Sequence, residues 1–222
     1  MRPSGVTGRL VLKMKLGPSI RRLFGDRERQ ISEIYRSLYM DFNALVEQMR
    51  LWNPHAQKIL EVGCGEGTVT QRLSAAYPNA DITGIDITPR LGRLYEGSRE
   101  RVRFVQCTIQ EIVATEAGQF DFIVLCDVLH HVPIELREGL LDAIRAALAP
   151  QGSFVFKDWQ RNYSPIHWLS YVSDRWITGD RIRYLTRAEL RGHLVHVFGG
   201  AALVAEARIP PWWNNLAILV RP

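Results

Sequence analysis

Lys58 to Gly67, KILEVGCGEG, is the stretch on which the reading of this chain turns. Its first five residues are a short apolar run that stops at glycines, the signature of a buried strand. Gly63, Gly65 and Gly67 follow at alternate positions, so the backbone can turn sharply and approach a ligand closely. The spacing is GxGxG. A dinucleotide fold uses GxGxxG, with its third glycine against the next helix and a pyrophosphate on the helix N-terminus. An acid, Glu61, just ahead of the first glycine also argues against a phosphate ligand.

Outward from this loop the pattern alternates. Thr68–Ala76 reads as a helix, Ala80–Ile87 as a second strand, Leu91–Arg99 as a second helix and Val102–Cys107 as a third strand. Phe120–Cys126, nearly all apolar, reads as a central parallel strand. Ile134–Leu148 is an amphipathic helix stopped by Pro150 and Gly152, and Ser153–Lys157 is a fifth strand. Strands alternating with helices imply a parallel sheet with helices on both faces, an α/β doubly wound fold. Upstream, apolar side chains from Ile31 to Met49 keep a helical spacing, so residues 18–52 read as helix ending at Asn53-Pro54. Downstream, 166–177 is aromatic-rich and helical in pattern. Thr186 with Glu189 is a capping-box signature, and Ala202–Arg208 and Asn215–Val220 read as two final strands. Ile209 to Asn214, containing Trp212 and Trp213, joins them as a hairpin, with the tryptophans expected as an apolar plug at the sheet edge.

Composition sets the outer bounds. The chain has 222 residues, of which 46% are hydrophobic, enough to bury a core and too many for a disordered chain. Three cysteines, Cys64, Cys107 and Cys126, form neither a disulfide framework nor a zinc knuckle, and are expected as buried, unpaired thiols. No stretch approaches the ~20 apolar residues of a membrane span. The basic N-terminus lacks the apolar core and cleavage site of a signal peptide, so a cytoplasmic location is expected. Residues 1–29 carry eight Arg or Lys against two acids, while the remainder carries twenty bases against twenty-one acids. The domain plan is thus a basic arm, residues 1–30, on a neutral body, residues 31–222. The arm is either a solvated extension or a peripheral contact for an anionic surface.

Gly84-Ile85-Asp86 ends the second strand, where a carboxylate can accept hydrogen bonds from both hydroxyls of a ribose. Taken together, ILEVGCGEG, GIDI, FDFIVLCDVLHHVP and LAPQGSFVF resemble the class I S-adenosylmethionine-dependent methyltransferases, especially the small-molecule branch of ubiquinone and menaquinone enzymes. The resemblance covers residues 58–157. It implies a Rossmann-like seven-stranded sheet of order 3-2-1-4-5-7-6 with the last strand antiparallel, an N-terminal helical extension, and a substrate-side helical insert at 158–200.

Position by position, the resemblance implies that Gly63, Cys64 and Gly65 line the amino-acid portion of S-adenosylmethionine, with Glu61 orienting it. Asp86 would hold the ribose, Ile87 would pack on the adenine and the Ile109 N–H would meet the adenine. Thr108 stands where the family usually has an acid, a departure that weakens this contact unless Gln110 or Glu111 substitutes. Cys126 and Asp127 would border the methionine end and the acceptor. His130 and His131 offer an imidazole near neutrality as a general base, or else they cap a helix or touch the cofactor. Asp158 can orient or deprotonate an acceptor, or cap the next turn. Trp159, Trp168, Tyr171 and Trp176, with His167 and Tyr184, are candidates for an aromatic lid over substrate. No metal site is expected, because adjacent histidines point apart and no carboxylate pair matches them.

The function implied is methyl transfer from S-adenosylmethionine to oxygen or carbon of a small aromatic or lipophilic acceptor. Nucleic acid is disfavoured as a partner, because the body lacks a basic stripe. The rival readings are a nucleic-acid methyltransferase anchored by the basic arm, a cofactor-binding protein or cyclase without methyl transfer, and an NAD-dependent oxidoreductase.

Overall fold

The computed structural model describes residues 38–168 and 183–222. In chain order the elements are α1 (Phe42–Trp52), β1 (Lys58–Val62), α2 (Thr68–Ala76), β2 (Asp81–Asp86), β3 (Val102–Gln106), α3 (Ile109–Glu116), β4 (Phe120–Cys126), α4 (Ile134–Ala147), β5 (Leu148–Trp159), α5 (Arg187–Phe198), β6 (Leu203–Arg208) and β7 (Asn215–Val220). The strands form one seven-stranded sheet of order β3-β2-β1-β4-β5-β7-β6. The first five strands are parallel, and β7 runs antiparallel to both β5 and β6.

The sheet is covered on both faces, and strand alternation decides which side chain goes where. Along β4, Ile123 and Leu125 face α3, α4 and α5, while Phe122 and Val124 face α1 and α2. Both sets are fully buried. Each such Leu, Ile or Phe contributes roughly 1.5–3 kcal/mol by leaving water. The same alternation aims polar residues at strand ends. On β1, Ile59 faces the α1/α2 layer and Leu60 the other, so Glu61 turns toward α2, where the Thr70 hydroxyl donates to it at 2.5 Å.

Several sequence expectations need correction. The helix expected over 18–52 does not include residues 38–41: α1 starts only at Phe42, because Asp41 caps it by accepting from the Asn43 and Ala44 N–H groups. Residues 18–37 lie outside the described residues. No helix forms over 91–99. Gly92 adopts φ +59°, and a Cβ there would fall 2.7 Å from the Phe104 ring. This segment instead folds back on the glycine loop, Gly92 N–H donating to the Gly65 carbonyl and Leu94 N–H to that of Glu66. A helix that was not expected, α3, starts at Thr108 through a capping box with Glu111. β5 is longer than expected, since Leu148 already pairs with Phe120. The tryptophan plug fails, as Trp213 is exposed and the Trp212 indole donates to the Leu38 carbonyl at 2.6 Å. The capping box at Thr186 and the β6–β7 hairpin are present as read. All three cysteines are unpaired, but only Cys64 is buried; Cys107 and Cys126 are half-buried.

The glycine loop makes a direct test of this architecture. Gly63 has φ +76°, and a Cβ there would meet a Val128 methyl at 2.3 Å. Gly65 has φ +50°, with the nearest atom, a carboxylate oxygen of Asp86, at 3.9 Å. Gly63→Ala therefore carries left-handed strain and a steric clash, while Gly65→Ala carries strain alone, about 1–2 kcal/mol. Urea unfolding of the two variants is expected to show Gly63→Ala as the less stable by at least ~1 kcal/mol.

Candidate active site

A cavity of about 1330 Å³ opens at the C-terminal edge of the sheet, between the ends of β1, β2 and β4 and the helices α3 and α4. This is the place where the strand order reverses direction, with β2 on one side of β1 and β4 on the other. Parallel α/β sheets bind their ligands at such a switch point.

One end of the cavity is built by Gly63, Asp86, Ile87, Thr108 and Ile109. Asp86 is fixed by two backbone donors: Gly65 N–H to Oδ2 at 2.8 Å, and Thr88 N–H to Oδ1 at 2.9 Å. A carboxylate has about four acceptor positions, so each oxygen keeps capacity for one more donor. That is the requirement of a ribose diol. Ile87 presents an exposed side chain, while its carbonyl is held by the Gln106 amide at 3.2 Å. The Thr108 hydroxyl and N–H are both engaged by Glu111 within the capping box. Thr108 is thus the N-cap of α3, and Glu111 is turned onto the cap.

Of the other expected cofactor residues, Asp127 lies in the cavity wall, whereas Glu61, Cys64, Gly65 and Cys126 do not. Glu61 is buried behind the loop, and burial pushes its carboxyl up to about 8. The Thr70 hydrogen bond offsets part of this, and the nearby Asp86 charge adds to it. Cys64 packs against Gly84, where a Cβ would approach its Sγ to 3.0 Å. These features suit S-adenosylmethionine: a loop with three left-handed glycines, a carboxylate with open acceptor positions, and a buried acid behind the loop.

The other end is built around three charges, of which Lys157 and Asp158 are buried and Asp127 is half-buried. Asp127 leaves β4 with φ +54°, and its carboxylate accepts from the Lys157 ammonium at 2.7 and 2.5 Å. Lys157 is itself buried. Asp158, the next residue on β5, faces the opposite side of the sheet. It is buried, accepts from the His130 N–H at 3.2 Å and the Trp159 N–H at 2.7 Å, and bonds the His130 ring at Nδ1. Burial alone would raise its carboxyl. The His130 charge and hydrogen bond, Lys157 and the Trp159 N–H together hold it below the ordinary carboxylate range. His130 and His131 both line the cavity, their rings 4.2 Å apart, with His130 buried and His131 exposed. The ligand atoms of Asp127, His130 and Asp158 lie within 4.8 Å of one another, but a cation there would have to displace the Lys157 ammonium from Asp127.

The aromatic lid is only partly recognisable. Tyr171 and Trp176 lie outside the described residues. Trp168 is exposed and Trp159 is buried, and neither belongs to the cavity wall. The Trp159 indole donates to His167 Nδ1 at 3.1 Å, and the Tyr184 ring packs 5.2 Å from His167 and 5.0 Å from His130. These aromatics pack behind the histidine. The sequence places Lys157 at the crevice end of β5 without showing its role, and Arg137 reads as a surface charge on α4 but is buried.

The seven-stranded order, the glycine loop after β1 and the carboxylate ending β2 define a class I S-adenosylmethionine-dependent methyltransferase. A family model described as a methyltransferase domain matches residues 28–199, and the chain belongs to that family. It is 31% identical over 148 residues to the ubiquinone biosynthesis O-methyltransferase of Psychrobacter cryohalolentis, covering 60% of this chain and 55% of the relative. To the protein of the same description from Escherichia coli O6:H1 it is 31% identical over 153 residues, covering 63% and 60%. The chain therefore matches little more than half the length of these relatives. Among solved structures, the Burkholderia thailandensis 1,6-didemethyltoxoflavin-N1-methyltransferase, with its substrate and S-adenosylhomocysteine bound, superposes with a TM-score of 0.62. Identity is 22%, over 97% of this chain and 92% of that one. The pyocyanin biosynthetic protein PhzM gives a TM-score of 0.69 at 20% identity, over 92% and 61%. No helix among the described residues is long and apolar enough to cross a membrane.

Glu61 gives the site a pH signature. Its folded-state carboxyl is raised to about 8 from 4.5, so between those values the native chain binds more protons than the unfolded one. Stability of the cofactor-free protein is expected to fall as pH rises through this window, by up to about 1.4 kcal/mol per unit. Glu61→Gln removes that slope. In thermal melts the variant should match the wild type near pH 4.5 and exceed it at pH 8.5.

Proposed function

We propose that the protein methylates a hydroxyl of a small aromatic acceptor, with His130 as the general base. The observation that supports this most is the buried His130–Asp158 pair, whose histidine lies in the wall of the cavity. S-adenosylmethionine, when bound, supplies an electrophilic methyl group on a sulfonium.

The chain's own residues would supply binding, placement and proton transfer. Gly63, with Gly65 behind it, lets the backbone approach the methionine portion. Asp86 accepts the ribose hydroxyls, and Ile87, Thr108 and Ile109 flank the adenine. The Lys157 ammonium neutralises Asp127 at the methionine end, so this part of the wall carries no net charge. Asp158 holds the Nδ1 side of His130, which makes Nε2 the nitrogen that takes a proton. As the acceptor hydroxyl becomes nucleophilic, its proton passes to Nε2, and the Asp158 carboxylate stabilises the imidazolium that results. The buried Asp158 carboxylate bonds the His130 ring, which favours His130 as the base. A positioned base of this kind contributes typically 10²–10⁴-fold. Oxygen is favoured over carbon as the atom methylated, because the curated relatives are described as O-methyltransferases.

The test is methyl transfer from labelled S-adenosylmethionine to a panel of phenols and catechols. His130→Ala should lower kcat by at least a hundredfold with S-adenosylhomocysteine affinity retained. Asp158→Asn should lower kcat by a smaller factor and move the alkaline-rising limb of the pH profile to lower pH, because the imidazolium loses its counter-charge. Wild-type kcat in either variant would remove the base from the mechanism.

A further inference from the structure

Arg137 is the largest fully buried side chain among the described residues, 1% exposed, and it lies in the wall of the cavity. Its Nε donates to the Val132 carbonyl at 2.9 Å and its Nη2 to the Arg183 carbonyl at 3.4 Å. Its Nη1 is buried with no hydrogen-bond partner. Both bonds go to neutral carbonyls, and no carboxylate among the described residues contacts the guanidinium. The acids nearest in electrostatic reach are already committed. Asp158 serves His130 and the Trp159 N–H, and Glu189 serves the Thr186 cap with Arg161 at 3.6 Å. Arg183 brings a second positive charge to the same part of the cavity wall. Burying a guanidinium without a counter-charge is unfavourable, and an anionic ligand group would offset this.

The backbone ties this charge to the proposed base. Arg183 N–H donates to the His130 carbonyl at 3.3 Å, and the Arg183 carbonyl accepts from Arg137. Arg137, Arg183 and His130 are thus held in one short network on the acceptor side. The Nη1/Nη2 edge of a guanidinium is a planar fork that matches a carboxylate in a bidentate pair.

We infer that Arg137 is a specificity residue that binds a carboxylate carried by the acceptor, so that the substrate class is an aromatic hydroxy acid. This rests on the small-acceptor reading above and adds the anionic substituent to it. The alternative is that Arg137 only clamps the turn at Val132 to residue 183.

The experiment separates the two readings from each other and from turnover. Binding of 4-hydroxybenzoate and of 4-hydroxybenzamide to the complex with S-adenosylhomocysteine is measured by calorimetry for wild type, Arg137→Lys and Arg137→Met. The inference predicts that the wild type binds the acid at least tenfold more tightly than the amide. It predicts a smaller preference in Arg137→Lys and none in Arg137→Met, with S-adenosylhomocysteine affinity and melting temperature of the lysine variant unchanged. Equal affinity of the wild type for acid and amide, or a preference that survives in Arg137→Met, overturns it. Labelled methyl transfer to the two compounds is scored separately. A preference in binding without transfer to either overturns the hydroxyl-methylation reading and leaves the carboxylate site standing.

Discussion

The hydrogen bond from the Gly65 N–H to the Asp86 carboxylate, 2.8 Å long, is the contact on which the cavity depends. It joins the loop after β1 to the end of β2, beside the point where the sheet reverses its winding. It forms only because Gly63, Gly65 and Gly67 all hold left-handed backbone, which side chains with a Cβ resist. Once the loop is tied to Asp86, the segment after β2 cannot run off as a helix. It packs down on the loop through Gly92 and Leu94 instead, and the cavity keeps an open mouth between α3 and α4.

A second constraint is that four charged side chains are buried near the C-terminal ends of the strands or beside them: Glu61, Lys157, Asp158 and Arg137. A core made for stability alone would place apolar residues there. Three of the four are compensated within the chain, each differently. Glu61 takes up a proton, Lys157 meets Asp127, and Asp158 meets His130. Strand alternation sends Lys157 and Asp158 to opposite faces of the sheet, so one strand end holds both Asp127 and His130. Arg137 contacts no charged partner among the described residues and bonds two backbone carbonyls instead.

Much of this was legible in the sequence, for identifiable reasons. A five-residue apolar run, a glycine loop, and a carboxylate after the next strand are local patterns, and the strand order followed from the family they resemble. The missed features depend on long-range contacts or on signals not weighed. Leu91–Arg99 has a helix-like composition, but Gly92 is needed in left-handed backbone beneath Phe104. The capping box Thr108–Glu111 is visible as T-x-x-E and marks α3, so the threonine at the expected cofactor position is also a helix cap. His130 and Asp158 are 28 residues apart, and only the β4–β5 register brings them together. Arg137 sits in an amphipathic helix where every rule of pattern makes an arginine a surface residue. Its burial comes from the packing of α4 against α5 and from the segment that returns at residue 183.

The central claim, that Asp86 and the glycine loop form the adenosine end of an S-adenosylmethionine site, is tested most directly by calorimetric titration with S-adenosylhomocysteine. Wild type and Asp86→Ala are compared at the same pH and salt. The account predicts micromolar binding by the wild type and a loss of at least a hundredfold in the variant, since two charge-assisted hydrogen bonds to the ribose are removed. Binding that is unchanged in Asp86→Ala, or a wild type that binds NADH and not S-adenosylhomocysteine, would contradict it.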